Sequence, residues 1–193
     1  MAEMPEHANE LGYEAGRIYS DEILSLAREL SDDIFGSGAL VKDFFRPYIY
    51  LDGNAIGERG LDKSAVATAI ALGLEQVRGI GGAVPNNSLK EAVRNPQSEA
   101  IRHNHHEQRS GDIYVFQQPY WYLFDRGSVG VMHGSPWAYD THVNIIFSGP
   151  GIKPAKVDRL VHPIDVAPTL SALLGLSRPA AAQGKVLVEV LRN

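Results

Sequence analysis

The sequence predicts an α/β fold in which a central sheet is flanked by helices. Segments rich in β-branched and aromatic residues alternate along the chain with segments whose apolar residues recur at three-to-four spacing. The strongest strand signal covers residues 111–124, and the clearest helix signal covers residues 20–34. Strands that alternate with helices are typical of a layered α/β domain.

Three helices have start and stop signals. The first is predicted over residues 20–34, because Ser20 can cap it, acidic residues follow in the first turn, and Gly36 ends it. A second opens at residues 61–64. A third is predicted over residues 165–176, where a proline in the first turn removes no needed hydrogen bond.

Strands are predicted where short β-branched or aromatic runs meet turn residues, at 48–51, 77–84, 111–124 and 143–147. Residues 86–109 are polar with scattered apolar positions and predict one broken helix. Residues 1–19 predict an irregular lead-in. Residues 186–191 alternate too weakly to choose between a strand and a tail.

Composition bounds the function class. The 193 residues carry a net charge of −5 with 44% hydrophobic residues, which argues against broad nucleic-acid binding and against disorder. No cysteine is present, so thiolate metal sites and disulfides are excluded. The first 20 residues lack the pattern of a signal peptide and no apolar run predicts a membrane span, so we expect a soluble chain. The native compartment stays open.

The segment that points to chemistry is MHGSPWAYDTH, residues 132–142. His133 lies among small residues, with Gly130 before it and Gly134 after it, which lets a backbone approach a bound ion closely. His142 follows nine residues later, and Asp140 between them is placed to orient an imidazole. By residue type alone, a single His in such a loop is more often a turn or surface residue than a ligand, because zinc takes three or four ligands and only some are visible.

Longer stretches carry a resemblance to a known family. MHGSPWAYDTHVNIIFSGPGI is similar to the HGSPxxYDTHVPxIFxGxGI segment of phosphate-irrepressible alkaline phosphatases, and VHPIDVAPTLSALLGLSRP resembles their closing helix. LSDDIFGSGALVKDFFRPYIYLDGNAIGERGLD resembles the helix and strand that follow their metal-binding half. The chain therefore resembles the alkaline phosphatase superfamily, which also holds nucleotide pyrophosphatases, phosphodiesterases and sulfatases. The match covers most of residues 4–191.

The resemblance implies a zinc site. Such enzymes hold two zinc ions about 4 Å apart, which clamp the attacking and leaving oxygens of phosphoryl transfer. Their ligands are an early Asp, an Asp-x-x-x-His pair, an Asp-His-Gly segment and a final His, and the final His corresponds to His133. Asp140 and His142 then become residues behind the site, with His142 kept as the alternative ligand.

Departures from the pattern limit what the chain can do. It contains no Asp-His-Gly, and Asp158 to His162 has the pair's spacing but lies after the HGSP motif. The nucleophile is absent, so no catalytic residue is assigned. The family's loop after Asp-His-Gly resembles AEMPEHANELGYEAGRI, so we expect the chain to start just after those ligands. Asn144 replaces the usual proline and adds a free N–H.

These features predict one incomplete domain over residues 1–193, the C-terminal part of an alkaline-phosphatase-like three-layer sandwich. Residues 20–110 form an insert-like helical and strand region, and residues 111–193 form the return of the sheet with the metal-ligand loop. The expected function is that of one part of a zinc-dependent phosphoric ester hydrolase, and this part is expected to be inactive alone. An N-terminal half is a possible complementing partner. The expected substrate of the intact enzyme is a phosphate ester. Alternatives are a non-catalytic binding or scaffold domain and a truncated reading frame.

Two other clusters favour ordinary roles. His103, His105 and His106 lie among charged residues, so we predict a solvated face rather than a metal site. Tyr120, Trp121 and Tyr122 favour core packing over a stacking platform.

Overall fold

The computed structural model describes residues 4–90, 95–127 and 133–191. The chain forms two compact units, Met1–His142 and Val143–Asn193, here called unit 1 and unit 2. Residues 91–94 of the predicted broken helix, together with Gly130 and Met132 beside the His133 motif, lie outside the described residues.

Unit 1 holds all six strands of the described residues. In chain order its elements are α1 (Pro5–Glu10), β1 (Arg17–Tyr19), α2 (Ser20–Phe35), β2 (Val41–Phe45), β3 (Tyr48–Leu51), α3 (Gly53–Glu58), α4 (Lys63–Leu74), β4 (Ile80–Pro85), α5 (Pro96–Asn104), β5 (Ile113–Gln117), β6 (Tyr122–Phe124) and α6 (Ala138–Thr141).

Four of these strands form an antiparallel sheet in the order β2-β3-β5-β4. Ile49 lies opposite Ile113 and Val84 opposite Tyr114, so β5 is paired on both edges. The other two strands, β1 and β6, pair in parallel, with Ile18 opposite Leu123.

The core of unit 1 lies between this sheet and the two long helices. Ile23 and Ala27 are buried on α2, and Ile70 is fully buried on α4 together with Val66 and Leu74. They pack in one cluster with apolar residues of β3 and β5. A sheet covered by amphipathic helices confirms the predicted α/β class, and α2 and α4 lie where the periodicity placed them.

The prediction of an irregular start was wrong. Residues 1–19 contain α1 and β1, and Arg17 of β1 makes an ion pair with Glu6 of α1. Strand β1 is stabilised by β6, more than a hundred residues away, so no local pattern marks it. The long strand at 111–124 was also wrong in detail, because it divides into β5 and β6 around Tyr120, which has a positive φ of 65°.

Unit 2 contains the helices α7 (Val166–Leu173) and α8 (Val188–Leu191), with a 3₁₀ turn at Pro163–Asp165. Helix α7 confirms the predicted third helix, although it ends earlier than expected. The strand predicted at 143–147 is not formed, because no described residue pairs with this segment. Residues 186–191, for which a strand and a tail were both open, contain the short helix α8 at Val188–Leu191.

Asp165 and Thr169 hold unit 2 together. The Asp165 carboxylate accepts hydrogen bonds from the backbone amides of Lys185 at 2.6 Å and His162 at 2.9 Å. The buried Thr169 hydroxyl donates to the Asp165 carbonyl at 2.6 Å and accepts from the Leu187 amide at 2.9 Å. The bonds from the Lys185 and Leu187 amides connect the start of α7 to the chain before α8, and the other two stabilise the first turn of α7.

Across the described ranges, no helix has both the length and the apolar character needed to cross a bilayer.

Candidate functional site

His133 lies in a loop of unit 1, outside any helix or strand, and its side chain is exposed. Gly134 follows with φ of 103°, a conformation that glycine adopts without strain. Among the described residues other than its chain neighbours, no atom lies within 4 Å of the position that a Gly134 Cβ would take.

The loop is closed by a carboxylate. Asp140 Oδ2 accepts hydrogen bonds from the Ser135 backbone amide at 3.0 Å and from the Ser135 hydroxyl at 2.6 Å. Ser135 itself is buried. Asp140 lies in α6, so this pair of bonds fixes the residue two positions after His133 to that helix.

Trp137 fastens the same loop to the sheet. Its indole Nε1 donates to the carbonyl of Gln117, the last residue of β5, at 2.8 Å. Its ring meets Phe116 of β5 edge-on, with 5.9 Å between the ring centroids. The loop is therefore held at the C-terminal end of a strand that is paired on both edges.

Three tyrosine rings stack in one row, here called the Tyr13–Tyr120–Tyr139 ladder. Tyr13 stacks on Tyr120 with 4.6 Å between centroids, and Tyr120 stacks on Tyr139 with 5.7 Å. Such pairs are worth about 0.5–1.5 kcal/mol each beyond the area they bury. The Tyr13–Tyr120–Tyr139 ladder thus joins the N-terminal segment, the β5–β6 connection and α6.

The centre of the ladder is strained. Tyr120 is the only non-glycine residue with a positive φ among the described residues, and its amide donates to the Tyr139 hydroxyl oxygen at 3.3 Å. Burial raises the pKa of Tyr139, so its hydroxyl stays protonated at neutral pH. A residue with an unusual backbone conformation beside a candidate site is typically held in that conformation by the contacts around it.

Known proteins resemble this chain in sequence and in fold. No protein-family model matches the chain. It is 31% identical over 146 residues to the alkaline phosphatase PhoV of Synechococcus elongatus, and 25% identical over 158 residues to the alkaline phosphatase PafA of Elizabethkingia meningoseptica. It is also 30% identical over 160 residues to a protein of Myroides odoratus named a calcium-transporting ATPase. These matches cover 75%, 81% and 82% of the chain, respectively.

A solved structure decides the fold. The crystal structure of wild-type PafA matches 99% of this chain with a TM-score of 0.84, at 22% sequence identity. A multiply substituted PafA variant matches 98% with a TM-score of 0.81. Together with the sequence matches to PhoV and PafA, this structural match supports a partial member of the alkaline phosphatase superfamily. The fold of the chain is a partial alkaline-phosphatase-like fold, as the sequence predicted.

This superfamily member spans only part of its relatives. It covers 26% of PhoV, 29% of PafA and 29% of the Myroides odoratus protein, and 36% of the PafA chain in the solved structure. Roughly two thirds of the PafA fold therefore has no counterpart here.

The three residues predicted for the site occupy different positions around one loop. His133 is exposed at its start, and Asp140 acts on Ser135 rather than standing free. His142 is exposed and ends α6, where its amide donates to the Ala138 carbonyl at 2.8 Å. The assignment of His133 as ligand, with Asp140 and His142 behind it, stays a prediction.

A catalytic zinc does not fit this alkaline-phosphatase-like chain alone. Four-coordinate zinc takes three or four protein ligands. Within the ranges the structure describes, no group of three or more His, Cys, Asp or Glu side chains is placed to hold a metal ion. His133 by itself offers one imidazole on an open surface.

The two other clusters agree with the predictions only in part, because His105 is half-buried and Tyr120 stacks between Tyr13 and Tyr139. His103 and His106 are exposed at and beyond the end of α5, and His103 Nε2 lies 3.1 Å from Glu99. The hydrogen bond from Arg102 lowers the pKa of Glu99, which is the behaviour of a charged helix surface. Trp121 and Tyr122 are buried, in line with core packing.

Sequence reasoning missed the residues that hold the loop. Ser135 and Trp137 lie within the HGSPW stretch itself, and a six-residue span from Ser135 to Asp140 is compatible with a capped turn. Tyr13 and Tyr120 carry no such signal, because they meet Tyr139 only through the tertiary fold.

Proposed function

We propose that this chain forms one wall of the active site of a zinc-dependent phosphoric ester hydrolase of the alkaline phosphatase type, with His133 as one metal ligand. The proposal rests on the contrast, within one loop, between residues fixed by hydrogen bonds and the exposed His133. Ser135 and Trp137 are fixed by hydrogen bonds to Asp140 and Gln117, whereas His133 projects exposed from the same short segment.

This arrangement suits a ligand. A metal-binding imidazole works best when the backbone that carries it is rigid and its ring is free to meet the ion. Gly134 supplies an uncrowded backbone beside the ring. Bound zinc would polarise a phosphoryl oxygen and supply charge stabilisation for the transferring group.

The remaining ligands and the nucleophile would come from the part of the fold that this chain does not span. One imidazole gives neither the affinity nor the geometry of a catalytic zinc site. We therefore propose that the chain alone does not hydrolyse phosphate esters, and that activity needs a polypeptide supplying the rest of the site.

The test joins the chain to the portion of PafA that it lacks and measures hydrolysis of p-nitrophenyl phosphate. His133→Ala should reduce activity about a thousandfold or more, since several kcal/mol of charge stabilisation disappear. His142→Ala is the matched control and should lower activity only about ten- to a hundredfold, as losses behind a metal site do.

Zinc content measured on the same variants separates the outcomes. His133→Ala should empty or distort one zinc position, whereas His142→Ala should keep both. Normal zinc and turnover in His133→Ala, with collapse in His142→Ala, would assign the ligand to His142 instead. A folded, fully zinc-loaded chimera without activity would favour the alternative of a non-catalytic binding or scaffold domain.

A further inference from the structure

The loop that carries His133 is joined to its surroundings by a continuous series of hydrogen bonds. The Tyr120 backbone amide donates to the Tyr139 hydroxyl oxygen at 3.3 Å. The Tyr139 hydroxyl is hydrogen-bonded to the Ser135 side chain, and the Ser135 hydroxyl donates to Asp140 Oδ2 at 2.6 Å. These bonds, which run from a backbone amide through two hydroxyl groups to a carboxylate, are here called the hydroxyl network.

The direction of each bond in the hydroxyl network follows from its two ends. A backbone amide can only donate, a carboxylate accepts, and each hydroxyl has one proton to give. Because Ser135 gives its proton to Asp140, the Tyr139 hydroxyl must donate to Ser135 while it accepts from Tyr120. All the bonds therefore point the same way, an arrangement in which each bond polarises and strengthens the next.

The hydroxyl network is shielded from water and includes an unusual backbone conformation. Ser135 is 6% exposed, and Tyr139 is half-buried. Tyr120 has a φ of 65°, in the left-handed region that a residue with a side chain disfavours. The bond to Tyr139 and the stacking of the two rings, with 5.7 Å between their centroids, are contacts that stabilise this conformation.

The hydroxyl network reaches to within two residues of the candidate ligand. Only Gly134 separates His133 from Ser135, so the His133 backbone cannot move far while Ser135 stays fixed. Gly134 has no side chain that could pack and hold His133 in place, and both residues are exposed. On the C-terminal side of His133, the first fixed residue is therefore Ser135.

We propose that Tyr139 is a positioning residue for His133. Its hydroxyl, held by the Tyr120 amide, keeps the Ser135 hydroxyl directed towards Asp140, and the fixed Ser135 holds the backbone that presents the His133 imidazole. Stacking on Tyr120 determines where the Tyr139 ring lies, whereas the hydroxyl transmits that position to the loop. Tyr139 acts through Ser135 and needs no contact with metal or substrate.

This inference rests on the proposed function, because the position of the imidazole matters to the reaction only if His133 is a ligand. The hydroxyl network can nevertheless be measured without metal, through exchange of the Ser135 amide, which donates to Asp140 at 3.0 Å. Metal-free exchange therefore tests how the loop is held, and zinc binding tests what His133 does.

The first test measures amide hydrogen exchange in the metal-free full chain. Tyr139→Phe removes the hydroxyl but keeps a ring that can stack on Tyr120. The Ser135 and Tyr120 amides should exchange about tenfold faster or more, because the loop opens locally, while the β5 amides keep their protection. Tyr13→Phe is the matched control, since its ring also stacks on Tyr120 but its hydroxyl is not part of the network, and it should leave both amides unchanged.

A double-mutant cycle tests whether these bonds act as one unit. Ser135→Ala breaks the hydroxyl network at its second hydroxyl, so adding Tyr139→Phe should cause little further loss. The protection of the amide at position 135, taken relative to unstructured peptide of the same sequence, should fall by about the same factor in the double variant as in either single variant. Factors that multiply in the double variant would show independent bonds and would overturn the proposal.

The second test uses the chain joined to the portion of PafA that it lacks, and measures zinc binding and hydrolysis of p-nitrophenyl phosphate. Tyr139→Phe should weaken zinc binding at one position about ten- to a hundredfold, as changes behind a metal ligand do. Excess zinc should restore most of its activity, whereas it should not restore the activity of His133→Ala. A loss caused by general unfolding would instead increase exchange of the β5 amides.

The outcomes separate this proposal from the proposed function. Unchanged exchange of the Ser135 amide in Tyr139→Phe would overturn the positioning role, because the hydroxyl would then not hold the loop. Normal zinc binding in Tyr139→Phe, with loss of a zinc position in His133→Ala, would also overturn that role and leave the proposed function intact. Normal zinc binding in both variants would show that His133 is not a ligand, and both proposals would be wrong.

Discussion

Units 1 and 2 are stabilised in different ways. Among the described residues, the buried large apolar side chains lie in unit 1, apart from Leu187 and Pro168. Unit 1 combines a four-stranded sheet with two covering helices, whereas unit 2 depends on four hydrogen bonds around Asp165 and Thr169. The difference teaches that one chain contains a unit with a large buried apolar core and a unit with many exposed apolar residues.

The distribution of aromatic residues makes the two units separately measurable. Both tryptophans and all eight tyrosines lie in unit 1. Intrinsic fluorescence therefore follows unit 1 only, and exchange of the Lys185 and Leu187 amides follows unit 2.

The largest expected effect is in the core of unit 1. Ile70→Ala should lower the free energy of unfolding of unit 1 by about 2–5 kcal/mol, because it leaves a cavity in a packed interior. Leu187→Ala should cost less in unit 2, since Leu187 already borders an open groove. Denaturant titration followed by fluorescence measures the first, and amide exchange the second. Equal losses would contradict the contrast between the units.

The next-largest loss of stability is expected at Gly184 of unit 2, where two backbone segments lie close together. A Cβ on Gly184 would overlap the backbone carbonyl of Ile164, so Gly184→Ala should destabilise unit 2 by about 3 kcal/mol through overpacking. Gly149→Ala is the matched control, because its Cβ would meet only Ile152 Cδ1 at 3.9 Å. The Leu187 amide should exchange faster in the first variant only, with the tryptophan melt unchanged in both. A shifted tryptophan melt would show that the units unfold together.

The Thr169 hydroxyl should show a smaller loss. Thr169→Val removes the acceptor for the Leu187 amide and should cost unit 2 about 1–3 kcal/mol, because a buried donor is left unpaired. Thr169→Ser keeps the hydroxyl and should restore most of the protection of that amide. If valine and serine give the same exchange rate, the hydroxyl bonds do not hold the unit.

The smallest expected effect is the loss, at low pH, of the stability that Asp165 contributes to unit 2. The amides of Lys185 and His162 lower the pKa of Asp165, so its folded pKa lies below its unfolded value. The stability it contributes is present above the unfolded pKa and is lost in acid, as pH falls through the lowered folded pKa. Asp165→Asn should be less stable at neutral pH, with a gap that closes in acid. Exchange of the Lys185 amide measured against pH checks this, and a constant gap would contradict it.

The sequence predicted those parts of the fold whose burial pattern is local. Helices α2 and α4 and strand β3 each carry their own apolar period or β-branched run, so their positions could be predicted. Strand β1 could not, because Ile18 is buried only through β6. The segment at 143–147 has the residues of a strand, but pairing depends on a neighbour that the described chain does not supply.

The candidate site also contains some residues that a local motif predicts and others that only the tertiary fold brings together. His133 and Asp140 could be proposed from a motif within ten residues, and the structure adds what Asp140 does to Ser135. The anchoring of Trp137 to β5 and the stacking of Tyr13 depend on distant chain segments, which no spacing rule encodes.

The Tyr13–Tyr120–Tyr139 ladder has a consequence for the speed of folding. Tyr13 lies more than a hundred residues before Tyr120 and Tyr139, so the ladder can close only after those segments have met. Contacts of such high sequence separation slow folding, since the entropy of loop closure is lost before the contact forms. The loop that presents His133 is therefore expected to take its final shape late, after the helices and hairpins around it.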